Sequence, residues 1–299
     1  MALGEKLFLS LVCMNLLMSC QKAEVFVLET DLPEEVIVLP NSNADSSLKI
    51  AIIGDSISAF KGSSPSDNNG YKGAQYAVYY PHGDVKHIEN MWWYKVAHSV
   101  GITIDDICNC SWSGSRVSGN SASTNNAFAG CSTKRIEDLS CNGSTPDIVF
   151  CYISCNDWAS DIPIGNWSAY DTIPSEGAIS TMSEAYALMI SKIKEHYPSC
   201  LIVCLTNLDD PLRDYTPGWP SNNKSGISVD DWNKSICELS ETFGCNTINL
   251  QECGINYENA SKYTVDGGLH PNDAGMTLIA NQVIKELANI MNATATNND

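Results

Sequence analysis

"KIAIIGDSISAF", residues 49–60, ends an apolar run on a glycine and follows it at once with an aspartate and a serine. Lys49 to Ile53 have the length and β-branched content of a short buried strand, and Gly54 stops it. Ser56 therefore sits where a strand gives way to the next element. Asp and Ser at such a junction are frequent helix N-caps. A serine hydroxyl at the same place is also positioned to be a nucleophile. The triplet alone leaves both readings open, and the rest of the chain has to separate them.

Outward from this stretch the pattern alternates. Residues 88–101, "IENMWWYKVAHSVG", have helical spacing and a glycine stop, and "ITIDDICNC" (102–110) reads as a second strand. "TKRIEDL" (133–139) is a short helix and "PDIVFCYIS" (146–154) a continuous apolar strand. A long amphipathic helix spans 175–198, followed by a strand at 199–207. A helix at 228–244, with Ser228 or Asp230 as its cap, leads to a last strand at 245–250. The final helix covers 271–291 with Pro271 near its start. Strands alternating with helices predict one α/β domain whose parallel sheet is covered on both faces.

In such folds ligands bind beyond the carboxyl ends of the strands, which is where Ser56 lies. The second strand ends in "NCSWSGSR", where Gly114 can bring a backbone N–H close to a ligand. The third ends in "YISCNDW", which puts the amide of Asn156 at the same rim. After the fifth comes "TVDGGLHPNDAGM", with His270 at a helix entrance and Asp266 four residues before it. Taken singly, Gly114 reads as a turn glycine, Asn156 as a loop cap and His270-Pro271 as a helix entry. Their joint placement, in order and each at a strand end, points to catalysis.

That order resembles the SGNH (GDSL-type) hydrolase family, whose blocks are GDS, a glycine, GxND and DxxH, over about residues 48–293. The resemblance implies a three-layer, flavodoxin-like sandwich with a five-stranded parallel sheet. It implies Ser56 as nucleophile, His270 as general base and Asp266 as the acid that orients the imidazole. The oxyanion donors would be the backbone N–H groups of Ser56 and Gly114 and the side-chain amide of Asn156. Two positions depart from the pattern: Ser154 replaces the glycine of GxND, and "DGGLH" is one residue longer than DxxH. The first leaves Asn156 in place. The second matters more, because the Asp–His offset decides whether the carboxylate reaches the ring; Gly267-Gly268 are expected to absorb the extra residue as a bulge. Asp273 is better placed as a first-turn helix residue than as a substitute.

The chemistry that such a constellation implies is ester hydrolysis. A serine hydroxyl attacks well only as a base removes its proton, imidazole is the side chain suited to that exchange near neutral pH, and the oxyanion needs fixed donors. The expected substrate is an O-acetylated (short-acyl) carbohydrate, with Trp112 and Trp158, beside Gly114 and Asn156, as indole faces for sugar rings. The polar loop at 62–73 agrees with a sugar. A lipid or aryl esterase of lysophospholipase or thioesterase type, and a non-catalytic glycan-binding lipoprotein, are the alternatives.

Composition sets the surroundings. A formal net charge of −18 on 299 residues argues against a nucleic-acid partner. No metal, nucleotide or cofactor motif is present. Residues 1–19 have the layout of a secretory signal, and "LMSC" resembles a bacterial lipobox, making Cys20 the expected lipidation site. Residues 20–46 then read as a tether, with one short strand near Val36–Leu39, 47–293 as the hydrolase domain and 294–299 as a disordered tail. An exported, membrane-anchored lipoprotein, at the outer membrane or on the periplasmic face or cell surface, is the expected setting. Thirteen cysteines, less Cys13 and Cys20, leave eleven, so at least one cannot join an intramolecular disulfide. Cys151/Cys155 and Cys200/Cys204 are each four apart in predicted strands, roughly 13 Å along the strand, and cannot close on themselves. Cys108, Cys110, Cys131 and Cys141, in or near loops, are the candidates for a disulfide.

Overall fold

The computed structural model describes residues 48–63, 78–119, 129–140, 143–168, 171–208 and 222–296. The leader, Cys20, the tether with its Val36–Leu39 strand, most of the loop at 62–73 and Cys141 lie outside the described residues.

Five strands, β1 (Ile50–Gly54), β2 (Ile107–Asn109), β3 (Ile148–Tyr152), β4 (Leu201–Leu205) and β5 (Asn246–Ile248), form one sheet in the order β2-β1-β3-β4-β5. Every pairing is parallel, with Ile50 opposite both Ile107 and Ile148, and Ile148 opposite Leu201. Consecutive residues of a strand point to opposite faces, so the apolar runs feed two cores. Ile50, Ile52, Phe150, Tyr152, Val203 and Leu205 pack on one face, and Ala51, Ile53, Val149, Cys151, Ile202 and Cys204 on the other.

Helices α1 (Trp92–Ser99) and α7 (Asp273–Thr296) cover the first face. Helices α2 (Thr133–Glu137), α4 (Met182–His196) and α5 (Val229–Thr242) cover the second. The short α3 (Cys155–Ala159) and α6 (Ala260–Tyr263) sit in the loops that build the site. This is the three-layer α/β sandwich that the alternation and the resemblance implied.

Several boundaries differ from the sequence reading for local reasons. Strand β2 is short because Ile104–Asp106 wind into a 3₁₀ turn, closed by Thr103 Oγ1 donating to Asp106 at 2.9 Å. Helix α4 starts at Met182, later than expected, because Thr181 and Glu184 form a reciprocal capping box. Ser228, not Asp230, caps α5, accepting from the N–H of Asp231 at 3.0 Å. The last helix runs through Thr296, past residue 293 where the domain was expected to end, since "NATAT" contains no glycine or proline to stop it. Cys155 opens α3 instead of extending the third strand.

Cys108 is disulfide-bonded, whereas Cys110, Cys131, Cys151, Cys155, Cys200 and Cys204 are free. Cys151 stands opposite Cys204 across β3 and β4, with both thiols buried. No helix among the described residues is long and apolar enough to cross a membrane.

Candidate active site

The site begins where β1 ends. No helix follows Ser56; residues 56–58 form a turn, so the hydroxyl caps nothing. Asp55 makes that turn. Its carbonyl accepts from Ser58 and Ala59, its Oδ1 from Ile57 N at 3.0 Å, and its Oδ2 from the Cys155 thiol at 3.0 Å. Burial pushes the Asp55 carboxyl up, against those bonds and the charges of His270 and Arg135, which pull it down. Ser58 anchors the turn from below. Trp92 Nε1 donates to its hydroxyl at 3.0 Å, while Trp93 Nε1 and Asn109 Nδ2 reach its carbonyl at 2.9 and 2.8 Å. Both tryptophans of α1 are buried, so the nucleophile turn rests on the core.

The chain returns to this turn far along the sequence. His270 Nε2 lies 2.8 Å from Ser56 Oγ, and His270 Nδ1 bonds Asp266 Oδ2. The extra residue of "DGGLH" is taken up as follows: Gly267 adopts φ +86°, which a glycine enters without steric cost. Asp266 Oδ1 then accepts from Leu269 N at 3.0 Å and His270 N at 2.9 Å. Val265 N donates to the carbonyl of His270 at 2.8 Å, closing the loop around the carboxylate. Partial burial would raise the Asp266 carboxyl, but the hydrogen bonds and charge of His270, with the Leu269 N–H, outweigh it and hold the group well below the usual carboxylate range. Asp273 is engaged elsewhere, with Asn90 Nδ2 at 2.9 Å and Lys95 at 3.2 Å.

The second and third strand ends meet on the other side. Gly114 has φ +73°, and an added Cβ would find nothing within 4 Å, so backbone conformation dictates the glycine and the space above it is open. Asn156, in the first turn of α3, donates one amide hydrogen to the carbonyl of Ser115 at 3.0 Å. Among the described residues, neither Ser56 N nor Gly114 N donates to a backbone acceptor. The carbonyl of Gly54 ties these pieces to the nucleophile turn, accepting from Trp112 N at 3.1 Å, Ser115 Oγ at 3.1 Å and Arg135 Nη2 at 2.8 Å. Arg135 Nη2 also reaches the carbonyl of Cys110 at 2.6 Å; burial pushes its guanidinium down to about 10.

Ser154, in place of the motif glycine, takes φ +142° and is fully buried. Its hydroxyl accepts from Trp232 Nε1 at 3.1 Å and faces Asn207 Oδ1 at 3.4 Å.

A serine, an imidazole and a carboxylate in this sequence of contacts can pass a proton from Oγ to the ring and hold the resulting imidazolium. Comparison with known proteins agrees in kind. The family model for GDSL-like lipase/acylhydrolase matches residues 48–216, more than half of the chain. The chain belongs to this family.

Solved structures described as GDSL-like lipases, from Bacteroides uniformis and Bacteroides ovatus, are similar to it with TM-scores of 0.58 and 0.57, at 24% and 22% identity. The alignments cover 83% and 81% of this chain and 99% of each of those. A protein from Lactobacillus plantarum gives a TM-score of 0.57 at 19% identity, covering 81% of this chain and 97% of that one. At these identities the likeness shows the fold. No match was found among functionally curated proteins.

This member of the GDSL-like family differs from expectation at the tryptophans. Trp112 and Trp158 are 2% and 0% exposed, and Trp158 Nε1 donates inward to Ile227 at 3.0 Å. Neither presents an indole face to a sugar; both fill the space under the rim. Sequence reasoning also passed over Asp157, Ser58, Arg135 and Tyr79. Asp157 carried a signal, being the residue after Asn156; Tyr79 carried none. Among the described residues no group of three or more His, Cys, Asp or Glu is placed to hold a metal ion.

Proposed function

We propose that this GDSL-like protein is a serine esterase that removes O-acetyl or other short acyl groups from a carbohydrate. The observation that carries the hydrolytic part is the chain Ser56 Oγ, His270, Asp266, with 2.8 Å between Oγ and Nε2. In this mechanism His270 takes the Ser56 proton as Oγ attacks the ester carbonyl. Asp266 keeps the ring oriented and balances its charge. Ser56 N, Gly114 N and Asn156 Nδ2 receive the oxyanion, His270 returns the proton to the leaving alcohol, and water cleaves the acyl-serine.

The sugar-ester part rests on the polar composition of residues 62–73 and on the exported setting. The buried Trp112 and Trp158 lend it nothing. The reading includes an exported lipoprotein held on a membrane through Cys20. The "LMSC" sequence supports this, and a disulfide at Cys108 is compatible with an oxidising compartment. The irregular spacing of "DGGLH" is the main ground for the non-catalytic alternative, and the contact of Asp266 with His270 despite that spacing supports the catalytic reading instead.

Acetate release from a panel of acetylated polysaccharides, alongside p-nitrophenyl acetate and octanoate, tests the proposal. Acetate release abolished by Ser56→Ala is the expected result. Strong preference for octanoate with no release from any glycan would move the protein to the lipid-esterase reading. Wild-type turnover by Ser56→Ala would remove the hydrolytic assignment.

A further inference from the structure

Two in-plane hydrogen bonds, to Ser56 and Asp266, fix the ends of the His270 imidazole but oppose its tilt about the line between them only weakly. That tilt is opposed by whatever packs on the ring faces. Tyr79 packs there: its ring lies 3.6 Å from the imidazole, centroid to centroid, with the planes within 9°. The Tyr79 hydroxyl points to Asp266 Oδ2 at 3.5 Å, so one side chain addresses both partners of the relay.

Tyr79 is itself held. It also stacks on His82, with centroids 4.9 Å apart and planes 22° from parallel. The next residue, Tyr80, is buried and donates its hydroxyl to the carbonyl of Pro271 at 2.6 Å, which pins this segment to the residue after His270. Tyr80 meets the imidazole edge-on, at 6.4 Å and 77°.

We propose that Tyr79 is a positioning residue of the hydrolytic site, holding His270 in the plane shared by Ser56 and Asp266 and stabilising the ring once it is protonated. The stabilisation follows from the aromatic quadrupole, because a cation over a π-face is attracted to it, and more so when water is excluded. The charged and titratable groups around the ring point the same way: Asp266 bonds it, and buried Asp55 interacts with its charge. This inference rests on the reading that Ser56 and His270 perform hydrolysis.

The test uses full-length Tyr79→Phe and Tyr79→Leu with three measurements: kcat and KM for p-nitrophenyl acetate, the rate at which a fluorophosphonate labels Ser56, and the melting temperature. Tyr79→Phe keeps the ring and should hold kcat within about threefold of wild type. Tyr79→Leu should lower kcat and the labelling rate together by about tenfold, equivalent to ~1.4 kcal/mol of barrier, with KM within about twofold. If Tyr79→Leu does not fold, Tyr79→Met takes its place. Wild-type kcat and labelling in the Leu or Met variant would overturn the proposal, as would an equal loss in Tyr79→Phe. Ser56→Ala separates the two levels. If it is inactive while Tyr79→Leu behaves as wild type, only the Tyr79 assignment falls; if it retains turnover, the hydrolytic reading falls and this inference with it.

Discussion

Ser118 donates its backbone N–H to Asp157 Oδ1 at 2.9 Å, and through this bond the loop that carries Gly114 is fastened to the helix that carries Asn156. Val117 N donates to the second oxygen of the same carboxylate at 2.7 Å. Asp157 is fully buried, and burial pushes its carboxyl up against the bonds that pull it down. Two of the three candidate oxyanion donors, Gly114 N and Asn156 Nδ2, therefore come from segments that share one buried clasp.

Removing the clasp should cost stability and turnover together. Asp157→Ala leaves two buried N–H groups without their acceptor, each costing about 1–3 kcal/mol. The loss of alignment at the donors should lower kcat by up to roughly 10²-fold, since removing one oxyanion donor outright costs about 10²–10³. Asp157→Asn keeps one acceptor and the shape but turns its amide nitrogen toward the other N–H, so its melting temperature should fall between wild type and Asp157→Ala. A kcat for Asp157→Ala within twofold of wild type would show that the clasp does not set the donors.

How much of this was legible from the chain depends on whether a residue acts through backbone pattern or through distant contact. Ser56, Gly114, Asn156 and His270 could be placed because each follows a strand of the alternating strand–helix pattern, and parallel strands deliver their carboxyl ends to one rim. Asp266 could be named but its reach could not, since that depends on the φ of Gly267. The indoles misled: Trp112 sits near Gly114 in sequence, yet its backbone N–H donates to the carbonyl of Gly54 and its side chain is buried. Arg135 and Tyr79 were invisible because their partners lie 81 and 187 residues away, at Gly54 and Asp266, with no motif to link them.

The burial of Trp158 makes a prediction opposite to that of a sugar platform. Trp158→Phe removes the indole N–H that donates to Ile227, whose carbonyl still accepts from Asn223 N at 2.9 Å, so the loss is one hydrogen bond, about 0.5–1.5 kcal/mol, together with the packing defect. KM for an acetylated glycan should stay within about twofold of wild type while the melting temperature falls. A tenfold rise in KM with unchanged thermal stability would restore the indole to the binding surface.

Ser154 sets two effects of similar size against each other. A non-glycine residue at its φ of +142° carries strain of about 1–3 kcal/mol. Its hydroxyl accepts the indole N–H of buried Trp232, and leaving that donor unpaired costs about 1–3 kcal/mol. Ser154→Gly relieves the first and incurs the second, so its melting temperature should lie close to wild type. Ser154→Ala keeps the strain and loses the bond, so it should be the less stable of the two. Equal melting temperatures for the two variants would show that backbone strain at this position is negligible.

Acid should loosen the Asp266–His270 contact in a defined direction. The Asp266 carboxyl is held below its ordinary range in the folded chain, where the bonds from His270 and Leu269 outweigh burial. In the unfolded chain it titrates near an ordinary aspartate value, about 3.9. The folded state therefore binds fewer protons at this group over the interval between the two values. Its contribution to stability is fully present above about pH 4 and is lost as pH falls toward the folded value. Asp266→Asn removes that contribution. It should also lower kcat by roughly 10³-fold or more at neutral pH, because the amide cannot hold the imidazolium or its tautomer. The gap in melting temperature between wild type and Asp266→Asn should be constant from about pH 5 to 8 and narrow steadily below about pH 4. A gap that stayed level down to about pH 2, or widened in acid, would contradict a depressed carboxyl and with it the ionised partner that the mechanism requires.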